Sequence, residues 1–408
     1  MISNIDNIKY NDLLKAVASM SALYSSQASP LVHYRFIENL FAKTSFNNAN
    51  LIANKDISFD CLLDNKGGVG IKTFVSKGNV KSEKIAEFNK SSKTFEKYKN
   101  KSEELFEAVA KARNTRILSD VKAYGIDLNK SFYHCLVRKP GGAFIHEEPY
   151  ELIDIDKLKL ISGRSKYPIF SDGKSEYNYN QTKSTLLKRF KLNMFENSET
   201  IELPIISEEK IYNILSNFYK GLNANDFIKD EQESFKFLNE QNDEFVILPL
   251  YGTTTHKFVE EKSGINAWNA GGRERKFGEC YIPVPAIVHD IKPNFFPPKT
   301  HKFRTKLPNG KIITTKLSQG SDEKSKAFQS DPLTTLGEWI HDMIDLSEEN
   351  FYKRIKKLNI YTYDDLINVG KDSVKIIKVE NKDYQYELQT MPLDSFEKFK
   401  NGDDGFEN

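Results

Sequence analysis

Two β-forming runs joined by a glycine-bearing turn place the tightest local constraint on how this chain can fold. Asp56–Asp64 (DISFDCLLD) alternates in polarity, and Val69–Val75 (VGIKTFV) is rich in β-branched and aromatic residues. Asn65-Lys66-Gly67-Gly68 separates them, which predicts a hairpin. Around it, apolar residues recur at helical spacing over Tyr10–Tyr24 (Leu13, Leu14, Val17, Met20, Leu23) and over Pro30–Ala42 (Val32, Phe36, Ile37, Leu40, Phe41). A charged helical stretch follows from Ser82 to about Tyr124. Ser131–Val137 and the stretch around Phe144 read as strands, and Ile169–Arg189 opens with a hairpin at Asp172-Gly173.

Side chains alternate across a strand, so Phe59, Cys61 and Leu63 share one face, with Asp60, Leu62 and Asp64 on the other. Counting outward from a turn at Asn65–Gly68 sets Asp60 at the level of Lys72–Thr73. A carboxylate and an ammonium then meet on neighbouring strands. Two readings follow. One is a cross-strand ion pair of small energy, under about 1 kcal/mol if exposed. The other is the pairing that phosphodiester hydrolysis uses, in which a carboxylate holds Mg²⁺ and a lysine orients water or offsets charge on the phosphate.

Composition limits the alternatives. The chain has 408 residues, enough for two or three domains of about 150 residues each. Its 28 Phe and 19 Tyr can fill real cores, which excludes a wholly disordered chain. No apolar run approaches the roughly 18 residues that would span a bilayer, so no membrane partner is expected. The start, Met1–Lys9, lacks a basic region followed by an apolar one, and the three cysteines (Cys61, Cys135, Cys280) are too scattered for a disulfide framework or zinc finger. A reducing cytoplasmic setting is expected. Lys+Arg 59 against Asp+Glu 57 neither demands nor forbids nucleic acid. The cations do cluster, at Lys77, Lys81, Lys84, Lys90, Lys93, Lys97, Lys99 and Lys101, and again at Lys183, Lys188, Arg189 and Lys191. His146-Glu147-Glu148 follows Pro140-Gly141-Gly142 and reads as loop decoration.

Beyond Asn197–Pro204 the composition shifts. A helix over Glu208–Leu222 precedes a strand- and turn-rich region from Phe245 to Leu317. Then come a helix (Leu333–Leu346) and strands at Ser373–Val379 and Tyr384–Leu388. A polar, glycine-rich arm, Lys262–Lys276, carries Trp268, Asn269, Arg273, Arg275 and Lys276. A second, Ser318–Phe328, carries Gln319, Ser321, Asp322, Lys324 and Lys326. Arg273 and Arg275 can fork onto guanine O6/N7 or onto phosphate. Trp268 can pack the arm or touch a base, and Glu274, Asp322 and Glu323 can accept from cytosine N4. No GxxxxGK[ST] loop and no His-x-Lys occurs, which excludes an intrinsic ATP-driven translocase and a phospholipase-D-like nuclease.

The hairpin resembles the PD-(D/E)XK nuclease superfamily, which places an aspartate on one strand and an acid-x-lysine on the next. Asp60 and Lys72 match, whereas Gly70 stands where the family has an acid. The resemblance implies Asp60 and a second carboxylate as Mg²⁺ ligands. Glu38, on the preceding helix, is favoured for the second, and Glu87, on the following one, is the alternative. The later region resembles the B3-like DNA-recognition domain of EcoRII- and NgoFVII-type restriction endonucleases. Five segments carry this likeness: W-N-A-G-G-R-x-R, E-x-Y-I-P-V-P, H-D-I-x-P-x-F-F-P, F-x-x-K-L-P-x-G-K and D-P-x-x-x-L-G-x-W-I. In that family two arms embrace the major groove.

Together these resemblances imply an α/β plus mostly-β chain. A PD-(D/E)XK-like catalytic domain spans 1–200, a B3-like β pseudobarrel with a small α/β extension spans 201–396, and 397–408 is an acidic flexible tail. They further imply a Mg²⁺-dependent type II restriction endonuclease of bacterial cytoplasm, acting on double-stranded DNA as a homodimer or a transient pair, with a separately encoded cognate methyltransferase. Gln181, Lys183 and Ser184 are expected to touch DNA from the catalytic side. The rival functions are a DNA-binding factor with a degenerate nuclease fold and a modification-dependent nuclease.

Overall fold

The computed structural model describes residues 5–46, 49–51, 57–76, 78–88, 95–98, 102–162, 168–192, 200–221, 244–253, 257–273, 275–276, 278–299, 301–321, 324–344 and 360–402. Lys77, Lys90, Lys93, Lys99, Lys101, Glu274, Asp322, Glu323 and the acidic segment from Asp403 lie outside them. The chain forms two units. One comprises Met1–Ala53, Ile57–Lys111 and Asp127–Gln241. The other comprises Asn54–Asp56, Ala112–Ile126 and Asn242–Asn408. Composition placed one boundary near residue 200. Packing divides the chain at Gln241/Asn242 and gives two earlier pieces to the second unit.

The first unit is layered. Helices α1 (Asn7–Ser19) and α2 (Tyr34–Thr44) cover one face of a six-stranded sheet. Its strands are β1 (Asn50–Leu51), β2 (Cys61–Leu62), β3 (Gly68–Val75), β5 (Phe132–Lys139), β6 (Gly142–Pro149) and β11 (Ile201–Glu202), in the order β1-β2-β3-β5-β6-β11. Only β3 and β5 pair in parallel. Tyr10, Leu14, Ile37, Leu40 and Phe41 bury their faces against Cys61, Val69, Ile71, Phe132 and Leu136. Loss of that apolar area from water is the main force holding this layer.

The other face of this sheet packs on a five-stranded antiparallel sheet. It contains β4 (Val80–Glu87), β10 (Thr185–Lys191), β9 (Glu176–Asn180), β8 (Ile169–Ser171) and β7 (Lys159–Ser162), in that order. Phe190 of β10 meets Phe74 and Tyr133, with ring centroids 5.8 and 5.5 Å apart. This sheet corrects the sequence reading. Val80–Glu87 is a strand, not the start of a helix, and the helix runs only over Ser102–Tyr124. Lys81–Glu87 lacks an apolar stripe of either period, so its pairing with β10 along seven residue positions decides its state. Pro30 lies outside α2, whose N-cap is His33.

The second unit is built on a seven-stranded, barrel-like sheet in the order β12-β17-β18-β14-β15-β16-β13. These strands are β12 (Phe245–Pro249), β13 (Ile282–Pro283), β14 (Lys302–Lys306), β15 (Ile312–Gly320), β16 (Ser325–Ser330), β17 (Lys371–Lys378) and β18 (Tyr386–Pro392). Phe295, Phe296, Phe303, Phe328 and Tyr386 cluster in its core. The expected Asn309-Gly310 turn joins β14 to β15, with Gly310 at φ 87°. The helix Ser395–Lys400, with Phe396 and Phe399 buried, carries order past the expected start of a tail at 397.

The C-terminal half of the helix Ser102–Tyr124 is built into this second unit. Ser119 Oγ donates to Met343 O at 3.0 Å, and Trp339 Nε1 donates to Ala123 O at 3.1 Å. Asp120 and Lys371, both buried, pair at 2.8 Å.

Candidate functional site

The hairpin closes differently from the count made on sequence. Leu63 N donates to Gly67 O and Lys66 N to Leu63 O, leaving a three-residue loop, Asp64-Asn65-Lys66, with Lys66 left-handed at φ 71°. Cys61 therefore pairs with Val69 and Leu62 with Gly68, so Asp60 falls opposite Gly70 rather than Lys72–Thr73. The carboxylate still reaches the lysine. Asp60 Oδ2 accepts from Ile71 N at 2.6 Å and lies 3.6 Å from Lys72 Nζ. Strand β2 starts at Cys61 while β3 runs on to Val75, so Asp60 takes a backbone donor that no strand partner takes.

Gly70 has a steric reason. A Cβ there would lie 2.9 Å from the Tyr133 ring and 3.0 Å from the Tyr150 ring. Those rings stack at 4.4 Å, and Tyr150 OH donates to Ser58 O at 2.8 Å. The aromatic pair fills the space an acidic side chain at 70 would need.

A further carboxylate, Glu38, stands on α2. Glu38 is buried, 5% exposed, beside the apolar residues Ile37 and Leu40, and Arg35 Nη1 donates to its Oε2 at 3.2 Å. Burial first, then the charge of Asp60, holds its carboxyl above the usual range, with Arg35 and Lys72 opposing. Burial works against the Lys72 ammonium, but the carboxylate of Asp60 above all, with Glu38 adding to it, offsets this and leaves it raised. Asp60 and Lys72 thus lie side by side, and the charge of the buried Glu38 acts on Lys72 while its own carboxyl feels that of Asp60. Glu87 stands on the strand β4, not on a helix, and is paired with Lys84 at 2.8 Å. It is not among the main charges acting on either Glu38 or Lys72.

Two oxygen-donor side chains suit a hard cation. Mg²⁺ commonly takes one or two carboxylates and fills its octahedron with water and phosphate. Among the described residues no group of three His, Cys, Asp or Glu side chains stands at metal-holding distance. Asp60 and Glu38 fit the ion by donor chemistry, and the charge of Asp60 raises the Glu38 carboxyl in a way a cation between them would relieve.

Three other features singled out in the sequence take their places as follows. His146 and Glu148 belong to β6 rather than a loop; His146 Nε2 and Glu148 Oε2 lie 3.0 Å apart, and Lys188 Nζ is 2.5 Å from Glu148 Oε1. The basic residues of β4 and β10 are matched by glutamates: Lys81 by Glu83, and both Arg189 and Lys191 by Glu176. Gln181, Lys183 and Ser184 form the β9–β10 turn, with Ser184 at φ 46° and Lys183 N accepted by Asn180 Oδ1.

In the second unit the two arms contribute to one cavity of about 300 Å³. Lys262, Arg273, Arg275 and Glu279 line it, together with Ser318 and Gln319 from β15 and Gln329 from β16. Lys276 lies beside it, and Glu279 Oε1 accepts from Lys276 N at 3.2 Å. Trp268 is half-buried in the short 3₁₀ turn Gly264–Asn269, and Asn269 Nδ2 is turned to Glu261 O. The second arm is a hairpin between β15 and β16, with Ser321 and Lys324 at its tip and Lys326 on β16. Lys324 pairs with Asp290. Sequence reading gave Glu279 no role, yet it is the acid at the centre of the arginines. Its place three residues before the strand Ile282–Pro283 was visible, but its partners lie across a glycine turn that spacing does not resolve.

A barrel-like sheet carrying two polar arms around a basic cavity is the architecture of a nucleic-acid-reading module. Residues 246–380 match the family of the NgoFVII C-terminal B3-like DNA-binding domain, so a DNA-binding domain of restriction-enzyme type occupies this stretch. The matched span runs from β12 through β17, and β18 lies beyond it. No curated protein and no solved structure matches the chain.

Proposed function

We propose that this protein is a sequence-specific, Mg²⁺-dependent type II restriction endonuclease whose first unit cuts and whose second reads the duplex. The Asp60–Lys72 pair beside β2, with the charge of Glu38 acting on it, carries the first half of this reading. The match over residues 246–380 supports the second.

Asp60 and Glu38 would hold Mg²⁺, which supplies Lewis-acid polarisation of the scissile phosphate and a lowered pKa for bound water. Lys72 keeps its proton. Its ammonium offsets charge that builds on the non-bridging phosphate oxygens and donates a hydrogen bond to the attacking oxygen. Asp60, tied to the Ile71 amide, fixes that ammonium in place. Arg35, one turn earlier on α2, keeps Glu38 oriented. Cutting both strands calls for two such sites, supplied by a homodimer or a transient pair. The wider setting is a restriction–modification system in bacterial cytoplasm, with a separate methyltransferase.

Digestion of unmodified phage DNA with and without Mg²⁺, followed by sequencing of the fragment ends, tests the proposal. Metal-dependent ends at one short recurrent sequence are expected. Gly70 favours a second reading, a DNA-binding factor with a degenerate nuclease domain. Sequence-selective binding with no cleavage at any metal concentration would establish that reading instead.

A further inference from the structure

The arginines of the first arm are not presented as open forks. Arg273 Nη1 and Nη2 donate to Glu279 Oε1 and Oε2 at 3.3 and 2.6 Å. Those two nitrogens form the end-on edge that would span guanine O6 and N7. Arg275 Nη1 stands 3.9 Å from Glu279 Oε2, and Lys276 N donates to Oε1 at 3.2 Å. One carboxylate therefore holds a bidentate guanidinium, a second guanidinium and a backbone amide.

The two partners differ in mobility. Glu279 follows Gly278, which is left-handed at φ 85°, and Gly278 O lies where a Cβ on Gly337 would stand, 1.8 Å away. The corner that carries Glu279 is thus clamped against the helix Thr334–Ile344. Arg273 follows Gly271 and Gly272, where an added Cβ would meet nothing within 4 Å and Gly272 has φ 99°. Its side chain is 52% exposed, against 11% for Glu279. A fixed acceptor faces a donor on a two-glycine hinge.

We propose that Glu279 is the specificity-determining partner of Arg273, a latch that withholds the guanidinium from phosphate and yields it to a G·C base pair. This rests on the reading of the second unit as a DNA reader. Phosphate meets a carboxylate beside the arginine and is repelled. A G·C pair offers O6 and N7 acceptors to the guanidinium, and the cytosine N4 amino group is a donor that the same carboxylate can accept. Both members of the pair then exchange one partner for another, and no charge is left stranded. Sequence is read through this matching, while phosphate contacts alone carry none.

The test uses the full-length protein, with EDTA present so that no duplex is cut. Fluorescence anisotropy compares the random duplex pool with a duplex that the wild-type protein selects from it. Glu279→Gln keeps the side-chain shape and one acceptor but removes the charge. It is expected to tighten pool binding several-fold without tightening selected-duplex binding. The selectivity ratio should fall about tenfold, and the salt slope should steepen by about 0.9, one added phosphate contact. In an Arg273→Ala background the substitution should bring no gain in pool binding. Arg273→Lys, which keeps charge but not the fork, should lose selectivity while holding pool affinity. Equal weakening of both duplexes by Glu279→Gln at an unchanged melting temperature would overturn the latch, as would no change in either. A wild-type protein that selects no sequence at all would overturn the DNA-reading proposal itself.

Discussion

Each unit sets a carboxylate against a cation, and the two pairs are built for opposite ends. In the first unit Asp60 and Lys72 sit 3.6 Å apart, each about a quarter exposed, and the aspartate is also committed to the Ile71 amide. The pair is held but not saturated, and a second acid, Glu38, acts on it from α2. In the second unit Glu279 closes both terminal nitrogens of Arg273. A pair fixed by backbone with donors to spare suits chemistry on a phosphate. A pair closed on itself, with one member on a hinge, suits exchange between partners. Counting ion pairs alone would not separate the two. What separates them is which atoms the rest of the fold has already used.

The largest expected effect tests the first pair. Lys72→Ala should slow cleavage by about 10²–10³-fold, the usual loss for one charge-stabilising donor, with DNA affinity little changed. Cleavage at the parental rate would remove Lys72 from the chemistry. Next is Gly70→Glu, which restores the acid the nuclease resemblance expects. Its side chain must displace Tyr133 and Tyr150, so destabilisation of about 1–3 kcal/mol is expected as a lower melting temperature, with no gain in rate. A faster, equally stable variant would show that Glu38 is not the second carboxylate.

Arg273→Ala should cost about 1–3 kcal/mol on a selected duplex and relax selectivity; parallel weakening on every sequence would make it a phosphate contact. A pH profile sharpens the role of Glu38. Burial and Asp60 raise its pKa, so its neutral form persists to higher pH than in an ordinary carboxyl, and it can hold metal only when ionised. Cleavage at fixed, sub-saturating Mg²⁺ should therefore climb as pH rises through that raised value. Glu38→Gln should abolish this acidic limb. The neutral form is the one the fold favours, so the stability contribution of Glu38 is present at low pH and is lost as pH rises through the same value. The smallest effect belongs to Glu87→Ala. It breaks an exposed pair with Lys84 and should leave cleavage unchanged and stability altered by under about 1 kcal/mol.

Much of this was legible before any coordinates. The hairpin, the α2 stripe, the Asn309-Gly310 turn and the strands around Phe132 and Phe144 follow from periodicity and turn chemistry. Asp60 and Lys72 were singled out and lie 3.6 Å apart, and Glu38, also singled out, is buried on α2 where the charge of Asp60 acts on it. The register was not legible, because Asp64, Asn65, Lys66 and Gly67 can close more than one loop. The left-handed Lys66, together with the Lys130 carbonyl 2.6 Å from where a Gly67 Cβ would stand, fixes one of them. Nor was β4 legible. Its residues carry no apolar stripe, and only the partner strand, a hundred residues on, makes it a strand. The Tyr133–Tyr150 stack that accounts for Gly70 comes from residues distant in sequence, which spacing cannot bring together.

The helix Ser102–Tyr124 bears on how such proteins acquire new targets. A recombination event that replaced everything after residue 200 with a foreign reader would leave Ala112–Tyr124 behind. The incoming barrel would lose the acid that neutralises its buried lysine at the position of Lys371, and the carbonyl that Trp339 uses. An unpaired buried charge of that kind costs about 3–5 kcal/mol, a large share of the stability of an ordinary domain. Grafts that carry this helical segment along with the barrel should fold, whereas single-cut chimeras should aggregate. The second unit is thus assembled from separate stretches of the chain, and a transplant must carry them together.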